Sequence, residues 1–162
     1  MNKQERMDAA FQCFCTYLDS EGLKYQTECE EGDDKRIYLG FDVGSVALKA
    51  VFVFQTEAER IYVGSPLPIK FNKDTVDEMV LAALRVNQIA AVGVFCVDRK
   101  GACIYESNEA IAGVNVFEPA YAERVIGSTF TVIQKFHGAL AAVASGAVTA
   151  EGIALKASEE DV

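Results

Sequence analysis

The sequence predicts an α+β domain in which helices cover one face of an antiparallel sheet of about five strands. Two observations lead to this prediction. Apolar residues recur at helical spacing near both ends of the chain, and short segments rich in β-branched and aromatic residues lie between turn clusters. With 162 residues, 51% of them hydrophobic, the chain is predicted to form a single domain over residues 1–162.

The composition restricts the classes of partner. The chain has 15 Lys and Arg residues against 24 Asp and Glu residues, and its net charge is -9. Because this charge repels phosphate groups, we expect neither nucleic acid nor a membrane as a partner. The sequence lacks an apolar run long enough to span a bilayer, and its first residues are polar where a signal peptide is apolar. Both features favour the cytoplasm.

The cysteines are expected to be reduced thiols, because their number is odd and no secretion signal is recognisable. Cys13 and Cys15 lie two residues apart on a predicted helix and therefore point roughly 200° away from each other, too far apart to hold one metal ion. Cys96 and Cys103 are expected on opposite faces of a hairpin, and a regulatory disulfide between them is the alternative. The chain contains five cysteines in all: Cys13, Cys15, Cys29, Cys96 and Cys103.

The first predicted element is a helix from residue 3 to about residue 21, ended by Gly22. Its apolar side chains form one stripe, made of Met7, Phe11, Phe14 and Leu18. Four short strands are expected next, near residues 25–29, 36–42, 47–54 and 60–63. In the second strand, alternation places Ile37, Leu39 and Phe41 on the buried face.

The third strand is apolar on both faces. Val46, Leu48, Ala50, Phe52 and Phe54 alternate along one face. The opposite face is also apolar except at Lys49, so this strand is expected to be central or to have its second face covered by a partner. The alternative is a terminal helix of the same chain that folds over that face. We take the second face as the candidate protein-interaction surface, formed by Ala47, Lys49, Val51 and Val53.

The middle of the chain predicts a connector, a helix and a hairpin. Residues 65–68 contain two prolines and are expected to be an extended connector. The following helix is capped by Asn72 or Asp74 and ends near residue 88. Its buried stripe is predicted to contain Val76, Met79, Val80, Ala83, Leu84 and Asn87. In the hairpin, segments 91–97 and 102–107 flank a type I turn at residues 98–101, with Val97 opposite Cys103 and Phe95 opposite Tyr105.

The C-terminal part of the chain predicts one long helix and a short one. Pro119 suits the first turn of a helix that ends near residue 145, and interruption at Gly127 or Gly138 is an alternative. Residues 146–162 are treated as a C-terminal extension. In it a last helical segment from Thr149 to about residue 157 precedes a frayed acidic tail at residues 158–162.

No arrangement of side chains predicts catalysis, a metal site or a cofactor. His137 has no neighbouring nucleophile or orienting acid in the sequence, so it is interpreted as a packing or surface histidine. The glycines at 40 and 44 are assigned to a hairpin, because no helix follows them. The acidic residues between positions 28 and 34 lack the spacing of a calcium loop and indicate a solvated turn. Asp42 and Asp98 are interpreted as turn-forming acids. We therefore predict that the protein is not an enzyme.

Residues 84–106 carry a resemblance to a known family. A helix that ends in Arg85-Val86-Asn87 is followed by the strand Val92-Gly93-Val94-Phe95-Cys96-Val97-Asp98, by Gly101 and by the strand Cys103-Ile104-Tyr105-Glu106. This succession resembles the bacterial YbjN family. The element order is helix, three or four strands, helix, hairpin and helix, and it is similar to that of the type III secretion chaperone-like fold. The resemblance covers about residues 5–145.

The resemblance implies a function but no site residues. Proteins of this kind are understood as homodimeric binding modules or regulators of sensory transduction without a catalytic site, so we expect a non-catalytic protein-binding module. The alternatives are a dedicated type III secretion chaperone that binds an effector and a small-molecule-binding domain. The glycine-interrupted region from Gly127 to Gly152 departs from the family pattern and leaves the number of C-terminal helices open.

Overall fold

The computed structural model describes residues 1–30, 34–113 and 115–153. Its strands form one open antiparallel sheet in the order β1-β2-β3-β4-β6-β5, which confirms the predicted α+β class and adds a sixth strand. A fourth helix begins at residue 150 and is described as far as residue 153. The longer elements are α1 (Lys3–Ser20), β1 (Tyr25–Glu28), β2 (Lys35–Val43), β3 (Val46–Gln55), β4 (Arg60–Leu67), α2 (Val76–Ile89), β5 (Val94–Val97), β6 (Cys103–Ala110) and α3 (Pro119–Ala144).

The chain forms two compact units. The first contains Met1–Ser65 and Ser107–Phe130, and the second contains Pro66–Glu106 with the described residues from 131 onward. The single domain over residues 1–162 stays a prediction. Within the part of the chain that the structure describes, no helix combines the length and the apolar character needed to cross a bilayer.

In the first unit, α1 begins and ends as predicted. The Asn2 side chain accepts a hydrogen bond from the backbone N–H of Glu5 (2.9 Å), and the Glu5 carboxylate accepts one from the N–H of Asn2 (2.8 Å), which completes a capping box. At the other end Gly22 has a φ of 67°, and the N–H of Leu23 donates to the carbonyl of Leu18 (3.0 Å).

The inner face of the sheet in the first unit holds the core. Most predicted inward positions of β2 and β3 are buried, whereas Phe41 and Val46 are half-buried, and α1 packs on this face. The Phe14 ring lies 5.2 Å from the Phe54 ring and 5.9 Å from the Tyr121 ring of α3. Helices therefore cover this face, as predicted. Gly40 to Gly44 belong to the β2–β3 hairpin, whose turn uses Gly44 with a φ of 60°.

The predicted connector at residues 65–68 is wrong in part, because β4 continues to Leu67. The β3–β4 pairs end at Val51 and Gly64, so Pro66 lies beyond them and its missing N–H breaks no hydrogen bond to β3. Ser65 also holds this end of the strand, since its hydroxyl donates to the carbonyl of Lys49 (2.8 Å).

In the second unit, the predicted cap and part of the predicted stripe of α2 are wrong. The N-cap is Thr75, which makes no side-chain cap, while the Asn72 side chain accepts from the N–H of Asp74 (2.9 Å) and shapes the preceding turn. Val80 and Leu84 are exposed, and Asn87 is half-buried. The buried side chains of α2 are those of Met79, Ala82, Ala83 and Val86.

The hairpin of the second unit has the predicted register. Phe95 pairs with Tyr105 and Val97 with Cys103, and Gly101 adopts a φ of 102° in the turn. The Asn87 side chain links α2 to this hairpin. It accepts from the N–H of Phe95 (2.7 Å) and donates to the carbonyl of the same residue (3.0 Å).

The structure decides whether the long C-terminal helix is interrupted. Helix α3 runs without interruption through Gly127 and Gly138. The fourth helix begins where the Glu78 carboxylate accepts a hydrogen bond from the N–H of Ala150 (2.7 Å). The predicted continuation to residue 157 and the acidic tail lie outside the described residues. So do residues 31–33 of the predicted acidic turn.

Candidate protein-binding surfaces

The outer face of the sheet in the first unit carries the interaction surface proposed from the sequence. Ala47 and Lys49 are exposed there, whereas Val51 and Val53 are half-buried. Val51 pairs with Tyr38 on one side, and cross-strand neighbours at this spacing pack against each other. The structure thus brings the four predicted residues together on one face. Neighbouring side chains cover the two valines only in part. We call this face the outer sheet surface.

Tyr38 is the large exposed aromatic residue of this surface, with 39% of its area accessible. Its hydroxyl donates to Oε2 of Glu28 (2.6 Å), and the same carboxylate lies 3.6 Å from Nη1 of Arg36. The hydrogen bond to Glu28 raises the pKa of Tyr38, because ionisation would place two negative charges together. The ring is therefore held in one orientation beside the strand.

A groove of about 340 Å³ opens next to Tyr38. Gly40 forms its floor, and Lys49 is the direct partner of Gly40 on β3. On the other side, the Tyr25–Leu39 register continued by one residue places Lys24 opposite Gly40, and both residues line the groove. A single row across the sheet therefore places a lysine on each side of a glycine. We call this site, formed by Lys24, Tyr38, Gly40 and Lys49, the basic groove.

A second candidate surface was missed by the sequence analysis. Val80, Leu81 and Leu84 of α2 are 41%, 47% and 56% exposed. At about 100° per residue, these three side chains lie on the opposite side of the helix from Met79 and Val86. We call them the α2 stripe. The available signal was the density of apolar residues around α2, which exceeds what one buried stripe requires.

The surroundings of the buried cysteine thiols and of His137 disfavour nucleophilic and general-base catalysis. Burial raises the pKa of the Cys13 and Cys15 thiols and raises that of Cys103 to about 12, which keeps these thiols protonated. His137 is buried on α3, and burial lowers its pKa. Among the described residues, no group of His, Cys, Asp and Glu is placed to hold a metal ion.

Comparisons with known proteins add no assignment. No protein-family profile matches the chain, and no curated protein sequence matches it.

Proposed function

We propose that the protein is a non-catalytic protein-binding module that forms a homodimer and acts in the cytoplasm as a YbjN-like regulatory or chaperone-like protein. The resemblance over residues 5–145 supports this kind of module, and a dedicated secretion chaperone is a narrower form of the same proposal. The five thiols are unpaired, which agrees with a reducing compartment.

The α2 stripe is the observation that carries the proposal. Three large apolar side chains are exposed close together on one side of α2, and such a group of exposed apolar residues favours a partner at that side of the helix. Three side chains of this size, each about half exposed, contribute roughly 3 kcal/mol per copy when they are covered. Ile89 and Val94 of the same unit are also about half exposed.

A second copy of the chain suits this surface. Two-fold symmetry places the same stripe opposite itself, and identical apolar patches cover each other without any further complementary feature. The protonated thiols and the buried histidine support a binding role rather than catalysis, because none of these groups is activated.

The experiment compares Leu84→Glu with Gln134→Glu by light scattering at micromolar concentration. Leu84→Glu removes the most exposed side chain of the stripe and adds a charge, so the dimer is expected to weaken by about 30-fold and to dissociate. Gln134→Glu adds the same charge to an exposed position of α3, outside the α2 stripe, and should leave a dimer. Circular dichroism checks that both variants remain folded.

Val51→Glu separates the two candidate surfaces. If it dissociates the dimer while Leu84→Glu does not, the interface lies on the outer sheet surface and the stripe has another role. A monomeric wild type would overturn self-association altogether.

A further inference from the structure

The outer sheet surface has the opposite charge from the chain as a whole. The chain carries a net charge of -9, yet among the described residues the outward positions on or next to β1 to β4 hold four cationic side chains and three carboxylates. A local reversal of sign on an acidic protein favours negatively charged ligands at that place. The seven residues are Lys24, Arg36, Lys49, Arg60, Glu28, Asp34 and Asp42.

Two of the four cations already have partners. Arg36 is paired with Glu28, and Nε of Arg60 donates to Oε1 of Gln55 (2.6 Å). Lys24 and Lys49 are both exposed, and neither forms an ion pair with a carboxylate in the part of the chain that the structure describes. The charge available to a ligand is therefore concentrated at the two lysines of the basic groove.

The geometry of the groove lets both lysines reach one anionic group. Adjacent strands lie about 4.8 Å apart, so the two lysine backbones are separated by about 10 Å across Gly40. Because Gly40 has no side chain, the space between them is open, and the nearest atom to a Cβ placed there would be the Leu48 carbonyl oxygen at 3.9 Å. The hydrogen bond from Ser65 to the Lys49 carbonyl fixes one side of this arrangement.

We propose that the basic groove binds an acidic segment of a partner protein, with a carboxylate seated over Gly40 between Lys24 and Lys49. The inference rests on the proposed function, because it takes the ligand to be a protein chain. The groove is open, and an adjoining hollow of about 250 Å³ shares Gly40 and Lys49 with it. Such a continuous open surface suits an extended peptide, whereas small ligands prefer enclosed pockets.

Asp42 sets the direction of the segment. It lines the adjoining hollow and repels a further carboxylate. Acidic residues of the ligand should therefore lie toward Lys24, and an uncharged residue should lie beside Asp42.

The test is a fluorescence anisotropy titration of a short labelled oligoglutamate peptide with the full chain. Oligoglutamate should bind and oligolysine should not, and added salt should weaken the binding. Lys24→Gln and Lys49→Gln should each weaken it about threefold, as expected for exposed charge pairs. Gly40→Val fills the floor of the groove and should weaken binding about tenfold or more. It should leave the melting temperature unchanged or higher, because valine favours a strand.

Arg60→Gln and Asp42→Asn are the matched controls. Arg60→Gln removes one charge from the same face outside the groove and should leave affinity within about twofold, while Asp42→Asn should raise it about twofold. Equal losses in Arg60→Gln and Lys49→Gln would mean that overall charge, and not the groove, determines binding, which overturns the proposal. Absence of oligoglutamate binding overturns it as well.

Other occupants give distinct results. Displacement of the peptide by inorganic phosphate at equal concentration would indicate a small-anion site and would overturn the assignment to a peptide. Dissociation of the dimer by Lys24→Gln together with Lys49→Gln would place a second copy in the groove and would also overturn it. A monomeric wild type that still binds oligoglutamate would refute self-association but support this inference.

Discussion

The two faces of strand β3 differ in what they contact, although they alternate along the same ten residues. On the inner face, Phe52 and Phe54 are fully buried, and both contact the ring of Phe14. On the outer face, Val51 and Val53 are half-buried beside larger cross-strand neighbours.

This difference separates stability from binding. Burial against a helix commits the inner side chains to the fold, because their removal leaves a cavity. The outer side chains are covered only in part, so substitutions there alter what the surface presents and have a smaller effect on the core. A strand that is apolar on both faces thus supports the core with one face and leaves the other partly exposed.

The largest expected effect compares Phe52→Ala with Val53→Ala. Truncation of a fully buried phenylalanine costs about 4 kcal/mol of unfolding free energy, whereas truncation of a half-buried valine on the outer face should cost about 1 kcal/mol. Urea denaturation of both variants measures the difference. Equal losses would show that the outer face is as tightly packed as the inner one.

A smaller loss of stability is expected when a glycine with a positive φ is replaced. Gly93 has a φ of 71°, and a Cβ there would collide with the buried Tyr105 ring. Gly93→Ala should therefore cost about 3 kcal/mol, from the strained backbone and overpacking together. Gly40→Ala is the matched control on the open surface and should change stability by less than about 0.5 kcal/mol. Thermal unfolding of both variants measures the difference. A melting temperature of Gly40→Ala as low as that of Gly93→Ala would contradict the open space above Gly40.

The strands of the first unit could be predicted from the sequence because their alternation has only two solutions. The pattern of Ile37 and Leu39 places one face inward, and a shift by one residue would bury Tyr38 and Gly40 instead. The prediction for α2 failed because its apolar residues form two acceptable stripes. Tertiary packing buries the stripe that contains Met79 and leaves Val80 exposed. The spacing of apolar residues along the helix does not show which of the two stripes is buried.

The basic groove was also beyond sequence reasoning, although Lys49 itself was selected. The groove requires Lys24 and Lys49 to meet across Gly40, and this depends on the registers of two separate strand pairs. Strand register is fixed by turn geometry and by the packing of the opposite face. A sequence pattern shows which face a lysine occupies but not which residue lies across from it.

The smallest expected effect lies where the inner face meets solvent, at the ion pair between Nζ of Lys35 and Oδ1 of Asp8 (2.7 Å). The hydrogen bond from Lys35 lowers the pKa of the Asp8 carboxyl below its ordinary value. A lowered folded-state pKa stabilises the protein above the unfolded pKa, and this contribution is lost as the pH falls through the folded value. Because both side chains are partly exposed, Asp8→Asn should cost only about 0.5 kcal/mol at about pH 7 and almost nothing at about pH 2.

Urea denaturation at the two pH values measures this loss of stability. The control is Asp8→Asn in a Lys35→Gln background, which should show no pH-dependent loss. A loss of stability that persists in acid would mean that Asp8 stabilises the protein through packing and not through its ion pair with Lys35.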